Sequence, residues 1–229
     1  MSTLRSSHPA LAAGRTIYLK SVTKPQDAKR LLQPASTNRK LGGGKTVITR
    51  GRWRGMPMYQ LSLEERETCP KTCQQWASCY GNNMPFARRI ATDDWAALSG
   101  ALGSELATLA AKHPLGFVVR LHVLGDFFSV SYVKFWQRAL ARHAELRLFG
   151  YTHRSERGLI GRNIAKMNDP DQCWIRWSDA GGEMSANVDK PDGTPGEGIH
   201  CPQQTGKTES CLTCGLCWAI IKPIRFSGH

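Results

Sequence analysis

The sequence predicts an α/β fold, an open partial (β/α) barrel of roughly four to six parallel strands. Short apolar runs rich in β-branched residues alternate with amphipathic helical patterns, and this order builds parallel sheets through right-handed crossovers. About four or five such units are visible, fewer than the eight of a closed barrel. The length of 229 residues is also short of the ~250 typical of that barrel. A doubly wound sheet is the competing interpretation.

The first unit begins with a strand predicted over Met58–Leu63, which leads into a cysteine-containing loop. A long helix follows, with Thr92 as its predicted N-cap. Apolar side chains then recur every three or four residues from Trp95 to Leu109, which is the pattern of one buried helix face. Gly116–Leu124 is rich in β-branched residues and is predicted to be the next strand.

The later units repeat this alternation. The predicted elements are a helix near Val130–His143, a strand over Leu146–Tyr151, a helix over Glu156–Met167 and a strand over Cys173–Ser178. Residues 179–200 are rich in glycine, proline and aspartate and are predicted to form a long loop.

Positive charge is concentrated at the start of the chain. The net charge is +13, and residues 1–55 hold twelve basic side chains against one acid. We therefore divide the chain into a basic N-terminal extension (1–55), a partial α/β barrel with a cysteine loop (56–198) and a C-terminal four-cysteine segment (199–229). A basic segment attracts polyanions, so nucleic acid is an expected partner of residues 1–55, and a solvated tail is the alternative.

The sequence predicts a cytoplasmic protein without a membrane partner. Its apolar runs fall short of the ~20 residues of a membrane span, and its N-terminus lacks the apolar core of a signal peptide. Thiols stay reduced in a cytoplasm, so eight grouped cysteines indicate metal or redox chemistry rather than disulfides. The pattern predicts no particular oligomeric state.

The first cysteine group follows the first strand and consists of Cys69, Cys73 and Cys79. Three thiolates this close in sequence can wrap one [4Fe-4S] cluster and leave its fourth iron open to a substrate or cofactor. A zinc site completed by a fourth residue from elsewhere is the alternative.

The second group lies near the C-terminus and consists of Cys201, Cys211, Cys214 and Cys217. A C-x₂-C-x₂-C run with a more distant Cys-Pro resembles a ferredoxin ligand pattern, although here the Cys-Pro precedes the run. A Cys₄ zinc site is the alternative, and one of these cysteines could instead complete the first site. Cys173 lies in a predicted strand and is expected to be an inert buried thiol.

Polar side chains follow three of the predicted strands, at the edge where parallel α/β folds place their ligands. These rim candidates are His122, Gly125, Asp126, Thr152, His153, Arg154, Arg176, Ser178 and Asp179. The two histidines could move protons, and the two arginines could clamp a carboxylate or phosphate. Asp126 could accept from an amine or a ribose hydroxyl. Alternatively, each side chain only caps a helix or satisfies a loop.

Several of these motifs together resemble the phage gene product 88 family. The matching pieces span roughly residues 35–220 and are Asn38–Gly42, Cys69–Tyr80, Gly125–Phe127, Tyr151–Arg154 and the C-terminal four-cysteine segment. That family in turn resembles a reduced relative of radical S-adenosylmethionine enzymes. Such enzymes place a three-cysteine loop after the first strand of a partial barrel.

The resemblance implies a ligand set. Cys69, Cys73 and Cys79 would hold a [4Fe-4S] cluster whose open iron binds the amino acid end of S-adenosylmethionine. Gly125 and Asp126 stand where a glycine-rich motif holds the cofactor's amine, and we assign Ser178 to the same cofactor site. The C-terminal cysteines look like an auxiliary cluster. The cysteine spacing here is three and then five residues, where the radical enzymes have three and then two.

Two functional hypotheses follow. The leading one is an iron–sulfur protein of the phage host's cytoplasm that takes an electron from a donor and cleaves S-adenosylmethionine reductively. Beyond the rim candidates, it assigns no catalytic residue. The rival is a non-catalytic iron–sulfur or zinc protein that binds nucleic acid through residues 1–55, with Arg52, Trp53 and Arg54 stacking on bases.

Overall fold

The computed structural model describes residues 3–190 and 193–227. The α-helices are α1 (Pro9–Ala13), α2 (Trp95–Lys112), α3 (Val130–Arg142), α4 (Leu159–Met167) and α5 (Cys211–Cys214). The strands are β1 (Val22–Thr23), β2 (Gln33–Pro34), β3 (Met58–Gln60), β4 (Arg89–Ile90), β5 (Phe117–Leu121), β6 (Leu146–Thr152), β7 (Cys173–Ser178), β8 (Ser185–Val188), β9 (Ile199–His200) and β10 (Ile224–Phe226).

Eight of these strands form one sheet in the order β2-β3-β5-β6-β7-β8-β10-β9. All neighbours are parallel except β2 and β3, which run antiparallel. Strands β1 and β4 pair separately as a small parallel ribbon. The predicted α/β class with a mostly parallel sheet is confirmed, and within the described residues the sheet is open, with β2 and β9 at its edges.

The three longer helices cover one face of this sheet. Because side chains alternate along a strand, Phe117, Val119 and Leu121 of β5 all point to that face. They join a buried core with the leucine stripe of α2 and the aromatic and aliphatic stripes of α3 and α4. This core accounts for the periodic apolar residues of the three helices, since each helix buries one stripe against the sheet.

We call the opposite side of the sheet the inner face, and its strand residues include Val118, Phe149 and Trp174. Segments from both ends of the chain pack against it. Trp53 and Trp218 stack there with ring centroids 5.7 Å apart, and both are about 1% exposed. The inner face therefore carries the C-terminal cysteine segment, and its packing fixes where that segment lies.

Several predicted boundaries are corrected by the structure. Strand β3 ends at Gln60 rather than Leu63, and α4 begins at Leu159 rather than Glu156. The N-cap of α2 is Asp94, whose carboxylate accepts from the backbone N–H of Ala97 at 2.9 Å, and not Thr92. No helix within the described residues is long and apolar enough to cross a membrane.

The predicted long loop over residues 179–200 is also corrected. It contains β8 and β9, because β8 buries Ala186 against the sheet while bonding to β7 and β10. The short polar sequence of β8 lacks the β-branched run that marks a strand. Strands β2, β9 and β10 bring residues from both ends of the chain into the sheet of the central segment.

Candidate functional site

A cavity of about 360 Å³ lies where the parallel strands end, and thiols from both cysteine groups line it. The cysteines at its wall are Cys69, Cys73, Cys79, Cys201, Cys211 and Cys217. Seven rim candidates face the same space, namely His122, Gly125, Asp126, Thr152, His153, Ser178 and Asp179. The structure thus brings the two cysteine groups and most of the polar rim to one place.

The first cysteine set, Cys69/Cys73/Cys79, lies on a loop of tight turns. The backbone N–H of Cys73 donates to the carbonyl of Pro70 at 2.9 Å, and the N–H of Trp76 donates to the carbonyl of Cys73 at 3.0 Å. All three thiols are partly exposed toward the cavity. Turns of this kind curl the loop back on itself, so that thiols four and six residues apart reach one side.

A buried network of charges lies beneath this loop. Glu65 binds Arg89 in a two-point ion pair at 2.6 and 3.0 Å, with both side chains 1% exposed or less. Glu64 accepts from the guanidinium of Arg15 at 2.7 and 2.9 Å. Short, two-point ion pairs of this kind offset part of the cost of burying charged groups, so the network fixes the base of the loop.

Arg66 connects that network to the cysteines themselves. Its Nε donates to the carbonyl of Trp76 at 3.0 Å, and its guanidinium donates to Asn82 Oδ1 at 2.6 Å. Its φ of 65° places it in the left-handed region, which is uncommon for a non-glycine residue. Sequence reasoning missed these residues, because a Glu-Glu-Arg-Glu run reads as a solvated surface and only its position beside a cysteine could have indicated otherwise.

The Gly125–Asp126 turn joins the first set to two neighbouring strands. Gly125 has φ 87°, and a Cβ there would lie 2.6 Å from Thr68 Oγ1, so only glycine fits. Asp126 is 3% exposed and accepts from the hydroxyl of Thr152 at 2.7 Å and the N–H of His153 at 2.8 Å. Burial raises the pKa of this carboxyl, and these hydrogen bonds oppose the rise.

Arg154 does not extend into the cavity. Its Nε donates to the carbonyl of Phe127 at 2.6 Å, and its guanidinium donates to the carbonyl of Thr68 at 2.6 Å. Its donors therefore tie the residue before Cys69 to the Gly125–Asp126 turn. This arrangement argues against the predicted anion-clamp role for Arg154 and assigns it a positioning role.

The two rim histidines differ. The ring of His122 is buried, and its Nε2 shares a hydrogen bond with the hydroxyl of Tyr132 at 2.8 Å. Burial and the nearby Arg120 lower the pKa of His122 to about 3, so it is neutral at pH 7 and unsuited to the predicted proton transfer. His153 is partly exposed at the cavity wall and keeps that candidacy.

Asp179 and Ser178 end β7 at the same cavity. Asp179 has φ 52°, and its Oδ1 accepts from the N–H of Val188 at 2.8 Å. The carboxylate thus supports β8 while its residue lines the cavity.

The second cysteine set, Cys201/Cys211/Cys214/Cys217, surrounds a void of about 10 Å³ that opens beside the main cavity. Helix α5 carries Cys211 and Cys214, and its first N–H groups donate to the carbonyls of Lys40 and Leu41, both at 3.0 Å. Asn38 shapes that acceptor turn, because its Oδ1 accepts from the N–H groups of Lys40 and Leu41 at 3.1 and 3.2 Å. The Asn38–Gly42 motif is therefore an anchor for the second set.

Arg176 secures the remainder of the second set. Its buried guanidinium donates to the carbonyls of Cys217 and Lys222, each at 2.8 Å, and to the carbonyl of Ile220. These bonds occupy the donors that the sequence assigned to a carboxylate or phosphate, so the clamp role predicted for Arg176 is not supported. Tyr151 completes the support by donating its hydroxyl to Cys217 Sγ at 2.9 Å.

Within each set, neighbouring thiols raise one another's pKa. The pKa of Cys73 is raised to about 11 and that of Cys211 to about 12, and burial is the largest cause of both shifts. The thiols that add to the rise are Cys79 for Cys73, and Cys217 and Cys201 for Cys211. Cys173 lies in β7, outside both sets, and is 2% exposed. The two sets are thus distinct groups around a shared cavity.

Comparisons with known proteins confirm the resemblance to the phage gene product 88 family. Residues 26–209 match the family described as gene product 88. The chain belongs to the gene product 88 family. A relative from Mycobacterium phage D29, the Gene 88 protein, is 25% identical over 200 residues, which cover 70% of this chain and 82% of the relative. No solved structure matches the chain.

The family match in this gene product 88 protein includes Cys69, Cys73, Cys79 and Cys201 but ends before Cys211. Among the described residues, no three His, Cys, Asp or Glu side chains are grouped to hold one metal ion.

The basic N-terminal segment of this gene product 88 protein is partly folded onto the body. Arg15, Lys45 and Arg52 form ion pairs with acids at Glu64, Glu209 and Asp171. Trp53 is 1% exposed and stacked on Trp218, so it cannot stack on bases as predicted. Nucleic-acid binding by this segment remains a prediction that rests on charge alone.

Sequence reasoning also missed Arg120, which faces the cavity from the middle of β5. A single arginine inside the apolar run Gly116–Leu124 was the available signal.

Proposed function

We propose that this phage-family protein is an iron–sulfur protein whose first set, Cys69/Cys73/Cys79, holds a [4Fe-4S] cluster with one open iron. The observation that carries the proposal is that these three thiols line one cavity with Asp126 and Ser178 at the ends of parallel strands. Three soft ligands on one loop suit an iron–sulfur cluster, and the fourth position faces a space large enough for a small molecule.

A radical-enzyme-like partial barrel is part of the proposal. Strands β3, β5, β6, β7 and β8 follow one another in sheet order, and α2, α3 and α4 pack against a single face. A doubly wound sheet places helices on both faces, whereas a barrel segment places them outside only. The one-sided arrangement favours the partial barrel.

S-adenosylmethionine is the proposed cofactor at the open iron. With Cys69, Cys73 and Cys79 holding the cluster, the bound pair would supply one-electron reductive cleavage of the cofactor's carbon–sulfur bond and hydrogen-atom abstraction from a substrate. The electron comes from an external low-potential donor in the host cytoplasm. Asp126 would accept from the cofactor's amine, since its Oδ2 has one protein donor and Oδ1 has two.

The second set is proposed to hold an auxiliary cluster, with zinc as the alternative. A zinc ion draws every sulfur to about 2.3 Å from one atom, whereas a cubane gives each thiolate its own iron. The four thiols line one small void, and their C-x₂-C-x₂-C spacing with a distant Cys-Pro resembles a ferredoxin ligand pattern, which favours the cluster. The hydroxyl of Tyr151 would then donate to a cluster sulfur ligand and tune its potential.

The experiment is anaerobic analysis of iron, sulfide and zinc, with EPR of the reduced protein before and after S-adenosylmethionine. We expect a cubane signal that shifts when the cofactor is added. Cys69→Ala is expected to abolish the shift, while Cys173→Ala, which removes a thiol outside both sets, is expected to keep it. Zinc without sulfide after reconstitution would reject the iron–sulfur proposal, and a cubane signal indifferent to the cofactor would reject only its radical chemistry.

A metal-bearing nucleic-acid-binding protein is the second candidate. Nine of the twelve basic side chains in residues 1–55 pair with no acid among the described residues. Such charges would contact phosphates, and binding would then weaken steeply with salt. Titration of DNA and RNA at two salt concentrations tests this candidate, and absence of binding at low salt would remove it.

A further inference from the structure

Arg120 is a cation placed inside the sheet. It pairs in register with Gln60 of β3 and Phe149 of β6. Its neighbours Val119 and Leu121 point to the helices, so the alternation along β5 directs Arg120 to the inner face, where it lines the cavity. It therefore lines the space that the two cysteine sets share.

Within residues 3–190 and 193–227, no carboxylate pairs with this charge. Arg120 is 9% exposed, yet among the described residues it forms no ion pair with an acid. Its guanidinium lies 4.5 Å from the ring centroid of Tyr151 and 5.3 Å from that of Phe149, and it donates to the carbonyl of Leu121. A buried charge without a counterion is costly, so its retention at a cavity wall points to a ligand.

The surroundings make this end of the cavity cationic and aromatic. Lys40 lies with its Nζ 5.1 Å from the ring centroid of Phe226, and Phe226 contacts Tyr151 edge-on at 5.6 Å. The acidic side chains at the cavity wall form no ion pair with Arg120 or Lys40 among the described residues. Glu65 is paired with Arg89, Asp126 is bound by the Thr152 hydroxyl and main-chain N–H groups, and Asp179 accepts from the N–H of Val188.

We propose that the cavity binds a small molecule through an oxyanion, a carboxylate or a phosphate, and that Arg120 is the residue that recognises it. A guanidinium presents paired donors that match either group, and its stacking on Tyr151 fixes the plane of that fork. The volume of about 360 Å³ suits a metabolite-sized ligand. The inference goes beyond the proposed function, because it requires no cluster in either set.

A metal–thiolate group of the second set is the rival counterion. Burial raises the pKa of Cys211, and the charge of Arg120 is close enough to oppose that rise slightly. If this were its role, the cavity would bind no anion and loss of Arg120 would reduce the metal content of the second set. The test therefore measures anion binding and metal content in the same preparations.

The experiment is calorimetric titration of orthophosphate and of citrate into anaerobic full-length protein, both metal-free and reconstituted. We expect at least one probe to bind, and Arg120→Met to weaken it about tenfold or more. Arg138→Met, which removes an exposed arginine on α3 across the sheet, is the matched control and should bind as wild type. The tighter probe distinguishes a phosphate from a carboxylate. Competition by S-adenosylmethionine would assign the oxyanion to that cofactor.

Thermal unfolding provides a second readout. Removing an unbalanced buried charge should leave Arg120→Met as stable as wild type or more stable without ligand, and a phosphate or citrate stabilisation seen in wild type should disappear. Arg120→Lys keeps the charge but loses the fork, so its affinity should be intermediate. Absence of binding to wild type at millimolar probe, or equal binding by Arg120→Met, would overturn the proposal. Zinc in place of iron would reject the proposed function but leave this inference intact.

Discussion

The two cysteine sets line one cavity, but different kinds of contact hold them in place. Side-chain charges support the first set, through the Glu65–Arg89 and Glu64–Arg15 pairs and through Arg66 and Arg154. The second set is supported by hydrogen bonds from α5 to the carbonyls of the Asn38–Gly42 turn and by the guanidinium of Arg176, which donates to main-chain carbonyls. Ion pairs with Glu64 and Glu65 thus distinguish the support of the first set, whereas the support of the second set consists of hydrogen bonds to main-chain carbonyls.

This difference indicates how each set can respond to a ligand. The three thiols of the first loop line the cavity, so a molecule bound there would contact the proposed metal site directly. The second set has four thiols around its own small void, which suits a closed site. We expect substitutions in the two supports to affect the two sets separately.

The largest effect is expected at the buried ion pair of the first set. Arg89→Met leaves Glu65 charged and unpaired in the interior, which should reduce the free energy of unfolding by about 3–5 kcal/mol. Urea unfolding measures it, and metal analysis should show loss from the first set before the second. Arg52→Met breaks the exposed pair with Asp171 and should cost less than about 1 kcal/mol. If Arg89→Met and Arg52→Met reduced the free energy of unfolding equally, the buried pair would not be the main support of the first set.

The next effect is expected at the support of the second set. Arg176→Met removes charged donors from buried carbonyls that include Cys217 and Lys222, and we expect a loss of about 2–4 kcal/mol. The EPR response to S-adenosylmethionine should persist while metal in the second set falls. Arg147→Met, in the neighbouring strand, contacts more exposed carbonyls and is the matched control. If Arg176→Met instead lost metal only from the first set, the two sets would not have the separate supports described above.

A smaller effect is expected at the turn beside the first set. Gly125→Ala places a Cβ against Thr68 at φ 87°, and we expect a loss of about 1–3 kcal/mol with displacement of Asp126. Gly181→Ala has a similar φ of 72° but open space around it, so it isolates the backbone strain from the clash. Thermal unfolding that ranks Gly181→Ala as the more costly change would refute this account.

The smallest effect concerns thiol reactivity in metal-free protein. Burial raises the pKa of Cys73 to about 11 and of Cys211 to about 12, so at pH 8 both thiols hold their protons and Cys211 forms about tenfold less thiolate. Iodoacetamide should therefore label Cys73 faster, and both rates should rise about tenfold per pH unit below these pKa values. Mass spectrometry of the labelled peptides measures this, and faster labelling of Cys211 would reverse the expected order.

The sequence was sufficient for features that depend on local pattern. The alternation of strands and helices predicted the mostly parallel sheet, and the strand ends predicted seven of the nine rim candidates that line the cavity, Arg154 and Arg176 being the exceptions. The burial of Cys173 followed from its place in an apolar run.

Features that depend on distant contacts could not be predicted in this way. Nothing local marks β8 as a strand, since its pairing with β7 and β10 is what buries it. Arg154 and Arg176 read as free cations until the carbonyls that they bind are placed beside them. The pairing of Arg15 with Glu64 likewise joins residues 49 positions apart, and a charge count treats both as solvated.

The position of β10 between β8 and β9 has a consequence for synthesis on the ribosome. Strand β9 pairs with β10 and β8 pairs with β7 and β10, yet β10 is translated after all of the other described strands. The first cysteine loop and its charge network can therefore form on the nascent chain while the second set still lacks its platform. Loading of metal would then follow the order of translation, first set before second.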